Sequence, residues 1–220
     1  MICINGENTA CRNSASIQKA VDDAKANGDC MVIVQNGEWK ITEPVKLYDN
    51  IHIHLENAHL KASEDCERVF ENYNIILPRI NTIYGRQKGI TVSGSGDSSI
   101  SGKCAIYFYN VGDFSVSGLR LEKCKNAIEL VYVNHFRISE LGFEECDCAI
   151  SVLAGSRNGF IHDVDCRVCG CAVCFDSKER EEIVYYNGPQ VENHIVRNVN
   201  ITGGEKVRIL GDDVRFTEIV

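Results

Sequence analysis

The sequence predicts an all-β chain wound as a right-handed parallel β-helix, with coils of about 22 residues and one N-terminal capping helix. Three observations predict it. Segments of the chain repeat, apolar and polar residues alternate within each copy, and a copy is too short to hold a helical crossover. CAIYFYNVGDFSVSGLRLEKC, NAIELVYVNHFRISELGFEEC and CAISVLAGSRNGFIHDVDCRVC align, and CAVCFDS begins a fourth copy. Ala105, Ala127, Ala149 and Ala172 hold equivalent places, at steps of 22, 22 and 23 residues. The same phasing aligns Leu121 with Phe143 and Cys166, Leu119 with Leu141 and Val164, and Val116 with Ile138 and Ile161. Cys124, Cys146 and Cys169 form a further column. Alternation is the period of a strand, so Ile106/Phe108, Ile128/Leu130, Ile150/Val152 and Val173/Phe175 are expected to face inward. Gly and Asn serve the corners, where the backbone must turn tightly.

Taken from the N-terminus, SIQKAVDDAKANG reads as a helix over 14–28. Ile17, Ala20, Val21 and Ala24 share one face, Ser14 is the expected N-cap, and Gly28 ends it. Its expected role is to cover the first coil, whose core would otherwise be open. Strands are expected at MVIV, GEWKI and NIHIHLENAHL; the clearest coils span 104–177. VRILGDDVRFTEIV alternates like a strand pair and shows no cap, so an open C-terminal edge is expected. The 220 residues are read as one domain.

Composition narrows the partners. With 31 acidic against 23 basic residues the net charge is −8, which disfavours nucleic acid and anionic membranes. No apolar run is long enough to span a bilayer. MICINGENTA lacks a basic stretch followed by an apolar one, so no signal peptide and a cytoplasmic location are expected, with secretion the expectation for a trimmed N-terminus. The twelve cysteines are then expected as thiols.

The helix, then MVIVQNGEWKITEPVKLYDNIHIHLENAHLKAS, then EIVYYNGPQVENHIVRNVNITGG, resembles the pectin-lyase-like β-helix proteins, and most of all the polygalacturonase group of glycoside hydrolases. The resemblance implies a carbohydrate-active protein acting on a polysaccharide or oligosaccharide. It does not extend to the group's catalytic aspartates. The places of its NTD and GDD motifs read Cys146-Asp147-Cys148 and Cys169-Gly170-Cys171, and its GHG motif falls near Gly203-Gly204-Glu205 without the histidine. Asp212 and Asp213 come about two coils late and read as a turn.

On the sheet where that group has its site, two outward columns are expected: Tyr107, Glu129, Ser151, Cys174 and Arg208; and Tyr109, Val131, Leu153, Asp176 and Leu210. Glycosidic hydrolysis needs two carboxyls about 5–9.5 Å apart. Glu129 and Asp176, two coils apart and two residues offset, are the candidate catalytic pair, their Cβ atoms roughly 12 Å apart on ideal strand spacings. Leaning side chains bring the carboxyls to about 9 Å, an inverting geometry. Tyr107, Tyr109, Ser151 and Arg208 are the candidate substrate-binding residues, with Tyr132 a further flat ring. Two other readings stand beside hydrolysis: a catalytically silent relative used for polysaccharide binding or assembly, and a lyase-like enzyme with Arg208 as base. Homo-oligomerisation through the apolar stripe or the C-terminal edge is a further expectation, unless the loop Lys178–Asn193 covers the stripe.

Cys166, Cys169, Cys171 and Cys174 read CxxCxCxxC, a metal-like spacing. The repeat instead puts Cys166 and Cys169 in core columns and turns Cys174 outward, so the four cannot converge. His52 and His54 face the same way on one strand without a third ligand, and His135 and His162 fall in turns or on strand exteriors. No metal and no cofactor are expected. A disulfide between neighbouring coils, Cys148 to Cys171, fits the spacing only in an oxidising compartment.

Overall fold

The computed structural model describes residues 1–5, 12–74, 87–179 and 188–219. Within them the chain is mostly strand with one helix, and the strands pair in parallel into two sheets, of twelve and seven strands. The architecture is a parallel β-helix.

The helix Ser14–Asn27 buries Ile17, Ala20, Val21 and Ala24, the face its periodicity predicts. It packs against the strands Ile2–Asn5, Met31–Ile41 and Val45–Leu47. Its N-cap is Asn13 and not Ser14. Asn13 is extended, at φ −146 and ψ 169, and its side chain accepts the Ser16 N–H at 2.9 Å. The Ser14 hydroxyl is engaged elsewhere, against Thr42 Oγ1 at 3.3 Å. Gly28 closes the helix in the left-handed region, φ 72, where its amide reaches the carbonyls of Ala24 and Lys25. MVIV and GEWKI are one strand, Met31–Ile41, because Asn36 and Gly37 bend the chain at positive φ without breaking the pairing.

The repeat phasing reappears as strand register. Ile128 pairs with Ile106 and with Ile150, and Ile150 with Val173. Leu121 pairs with Phe143 and Phe143 with Cys166, all three buried. The column continues through Ile100 and Leu60 on one side and Ile201 on the other. No helix interrupts Ala105 to Phe175. The corners repeat as well. Asp113, His135, Asn158 and Asn193 all have φ between 50 and 59. Their counterparts in a second set, Gly118, Glu140, Asp163 and Asn198, are also at positive φ, 69, 57, 55 and 47. At Gly118 the small residue is required: an added Cβ would lie 2.3 Å from the Gly94 carbonyl oxygen.

The Asp212-Asp213 pair lies between the strands Glu205–Leu210 and Val214–Ile219, as a turn. Among the described residues no helix is long and apolar enough to cross a membrane.

Candidate functional site

The seven-stranded sheet presents the two outward columns in the expected register. Tyr107, Glu129, Ser151, Cys174 and Arg208 pair in sequence, as do Tyr109, Val131, Leu153, Asp176 and Leu210. Glu129 and Asp176 are therefore two strands apart and offset by two residues. Both are half-buried. Glu129 accepts from Asn126 Nδ2 at 3.1 Å, and Asp176 accepts the Lys178 N–H at 2.9 Å.

The columns are less open than their alternation implies. Tyr107 and Tyr109 keep only 7% and 6% of their surface, and Val131 and Tyr132 keep none. With Cys104 they form a second apolar cluster, joined by the half-buried Leu153. Exposure returns towards the end of the column, at Leu210. Alternation tells which way a side chain points, and not what lies over it. Of the loop Lys178–Asn193, residues 180–187 lie outside the described residues.

Tyr107 has a partner that the repeat did not reveal. The Arg68 guanidinium lies over its ring, 3.5 Å from the centroid, and pairs with Glu71 at 3.1 Å. Glu71 is buried and stands in register with Tyr107, on the side away from Glu129. A sugar stacking on Tyr107 must displace Arg68. Glu71 escaped the repeat analysis because it is 36 residues from its pairing partner and not 22. Arg208, at the other end, pairs with Glu205 at 2.8 Å, an interaction that raises the guanidinium's pKa further. That stabilises the charged form and works against Arg208 as a base.

His162 also gains partners. It is buried, its Nδ1 lies 2.7 Å from Asp163 and its Nε2 accepts from Arg137 Nε at 2.9 Å. His135 is an exposed corner residue. His52 and His54 share the Ser93 hydroxyl, at 2.6 and 2.8 Å.

The CxxCxCxxC run divides between two environments. Cys166 and Cys169 join Cys124 and Cys146 in the main core, whereas Cys171 and Cys174 sit with Cys148 in a separate buried cluster. Burial pushes the Cys166 thiol up. Among the described residues no group of three or more His, Cys, Asp or Glu is arranged to hold a metal ion. The purified protein is expected to contain no stoichiometric zinc or iron, and chelators should leave its melting temperature unchanged. One metal per chain by elemental analysis would overturn this.

No protein-family model and no curated protein matches the chain. Solved structures match its fold over nearly its whole length. A Parabacteroides merdae protein inferred to be a glycosyl hydrolase superposes with a TM-score of 0.59 at 14% identity, covering 99% of this chain and 98% of that one. PfbA, a surface adhesin of Streptococcus pneumoniae, gives 0.63 at 15% identity, over 92% of this chain and 58% of that one. The family 28 exopolygalacturonase of Yersinia enterocolitica gives 0.54 at 13% identity, over 94% and 58%. The chain thus spans under two thirds of the adhesin and of the exopolygalacturonase. It shares the fold of the pectin-lyase-like β-helix glycoside hydrolases.

Proposed function

We propose that the paired strands wind as a right-handed solenoid with coils of about 22 residues, and that the protein is carbohydrate-active, engaging a polysaccharide along the outward face of the seven-stranded sheet. One observation carries this reading. Two adjacent outward columns run across five neighbouring strands and hold two carboxylates, a hydroxyl and a guanidinium: Glu129, Asp176, Ser151 and Arg208. Polysaccharide hydrolases among the fold neighbours support the same partner. Any hydrolysis runs through Glu129 with Asp176 and inverts the anomeric centre, because their separation leaves room for a water.

The loss of the group's acids, with Cys148, Gly170 and Cys171 in their places, favours a second reading, a binding protein without turnover, and the adhesin among the fold neighbours is in keeping with it. A lyase-like mechanism is the least supported, since Arg208 is held by Glu205.

Reducing-sugar release from a panel of polysaccharides separates these readings. Polygalacturonate is expected to remain uncut, because Cys148, Gly170 and Cys171 replace the acids of the polygalacturonase group. If another polysaccharide is cleaved, Glu129→Gln and Asp176→Asn should each lower the rate by about 10²–10⁴. Cleavage that survives both substitutions would put the site on another face. Polysaccharide affinity without cleavage would select the binding reading.

A further inference from the structure

Three cysteines on the outward side of the seven-stranded sheet differ from those in the core. Cys148 and Cys171 are paired neighbours on adjacent parallel strands, and Cys174 pairs with Ser151. All the described cysteines are free thiols. The core thiols donate to backbone carbonyls: Cys124 to Glu122 at 3.3 Å, Cys146 to Glu144 at 3.5 Å and Cys169 to Arg167 at 3.5 Å. Such bonds favour the neutral thiol. Cys148 makes the same kind of bond, to the Ile150 carbonyl at 3.6 Å, but its sulfur also accepts the Ser151 hydroxyl at 3.3 Å. The Cys171 thiol donates to the Val173 carbonyl at 3.3 Å, and Cys171 and Cys174 share one buried cluster with Cys148, with the Arg208 charge near it. Interaction with the Cys171 and Cys174 thiols, then with the Ser151 hydroxyl and the Arg208 charge, lowers the Cys148 pKa below that of an ordinary thiol. Cys171 and Cys174 are pushed up, by hydrogen bonding with Cys148 first, then by burial and by the Cys148 charge.

We infer that Cys148, Cys171 and Cys174 form a thiol-exchange site for small disulfides, with Cys148 as the nucleophile and Cys171 as the resolving thiol. The Cys148 thiolate attacks one sulfur of a low-molecular-weight disulfide RSSR. That S–S bond breaks, a mixed disulfide forms on Cys148, and RS⁻ leaves to take up a proton. Cys171 then loses its proton to water and attacks the Cys148 sulfur, expelling the second RS⁻. Two protein thiols are oxidised to one disulfide, and one RSSR is reduced to two RSH. Adjacent parallel strands lie about 4.7–4.9 Å apart, within the roughly 4.4–6.8 Å between Cα atoms that a disulfide spans. Cys148 and Cys174 each keep 7% of their surface, which leaves a small reagent a way in, whereas Cys171 keeps none. Of the two cysteines that pair in register, the accessible one, Cys148, is therefore the nucleophile. The product ties the strands Cys148–Leu153 and Cys171–Asp176 covalently across the face that carries Glu129 and Asp176. This inference does not depend on the polysaccharide reading.

The test uses the reduced full-length chain. Brief iodoacetamide treatment at pH 5.5, followed by peptide mapping, should label Cys148 at least tenfold faster than the exposed Cys3 and Cys30. Arg208→Gln should slow labelling of Cys148 several-fold and leave that of Cys3 unchanged. Treatment with 2-hydroxyethyl disulfide should then cost the chain two hydrogens and join the peptides of Cys148 and Cys171. In Cys171→Ser the mercaptoethanol adduct should persist on Cys148. Labelling of Cys148 no faster than of Cys124 or Cys146 would overturn the inference, as would disulfides confined to Cys3 and Cys30. Both readouts come from the unsubstituted chain, so a variant that fails to fold leaves the test intact.

Discussion

Phe143→Ala is expected to lower the free energy of unfolding by about 3–5 kcal/mol, the cost of removing a large buried ring and leaving the cavity unfilled. Phe143 keeps 1% of its surface and is paired on one side with Leu121 and on the other with Cys166. In such a column each residue packs against its equivalents on the strands before and after, so the gap is walled by atoms that the parallel pairing holds in place. Leu121→Ala should cost about 2–5 kcal/mol for the same reason. Val168→Ala, at a corner where the side chain is 71% exposed, should cost little. For a chain of this length the Phe143→Ala loss corresponds to a fall in melting temperature on the order of 10 °C. Denaturant titration measures all three. A loss below about 1 kcal/mol for Phe143→Ala would show that the column is not the continuous core its register implies.

Acidification should destabilise the fold through His194, which no periodicity marks. His194 is buried, 1% exposed, between the rings of Phe136 and Phe175. The Gly159 N–H donates to its Nδ1 at 3.1 Å, so the ring proton is on Nε2, which donates to the Ser156 carbonyl at 3.0 Å. A second proton on Nδ1 would face that N–H donor head-on. Burial accordingly lowers the pKa from its ordinary 6.5 to about 4. Because the folded value is depressed, the unfolded chain binds the proton more readily. The contribution to stability is full above pH 6.5 and is lost as the pH falls from there to 4, to a total of about 3 kcal/mol. His52 is lowered too, by burial and by the charge of His54, and adds in the same direction. Denaturant midpoints at pH 7 and pH 4.5 should differ markedly in the native chain. The difference should shrink in His194→Gln, whose amide can replace both hydrogen bonds without titrating. An unchanged pH dependence in that variant would remove His194 as the cause.

Strand phasing was legible because two short periods coincide in this sequence. Alternation sets inside from outside, and the repeat sets which residue meets which on the next strand. Both survive without knowledge of distant contacts, which is why the outward columns from Tyr107 to Arg208 and from Tyr109 to Leu210 were predictable residue by residue. The split of the CxxCxCxxC run followed from the same logic, against the pull of a familiar metal spacing. Where the period breaks, so does the reading. Glu71 and Arg68 were missed because a 36-residue step separates Glu71 from Tyr107, and no local pattern marks so long an interval. Asn13 displaced Ser14 as N-cap because Thr42 engages the Ser14 hydroxyl.

The sequence by itself determined the parallel β-helix architecture, the capping helix with its buried face, the inward columns and the absence of the polygalacturonase group's aspartates from their places. These follow from backbone geometry, which local chemistry specifies. Only the tertiary structure decided what each outward side chain meets. It put Arg68 on Tyr107, closed the apolar stripe at Val131, gave Arg208 to Glu205, and gathered Cys148, Cys171 and Cys174 into one buried cluster. Those contacts join residues from different strands, and their energies depend on distance and on excluded water, which neither alternation nor spacing encodes.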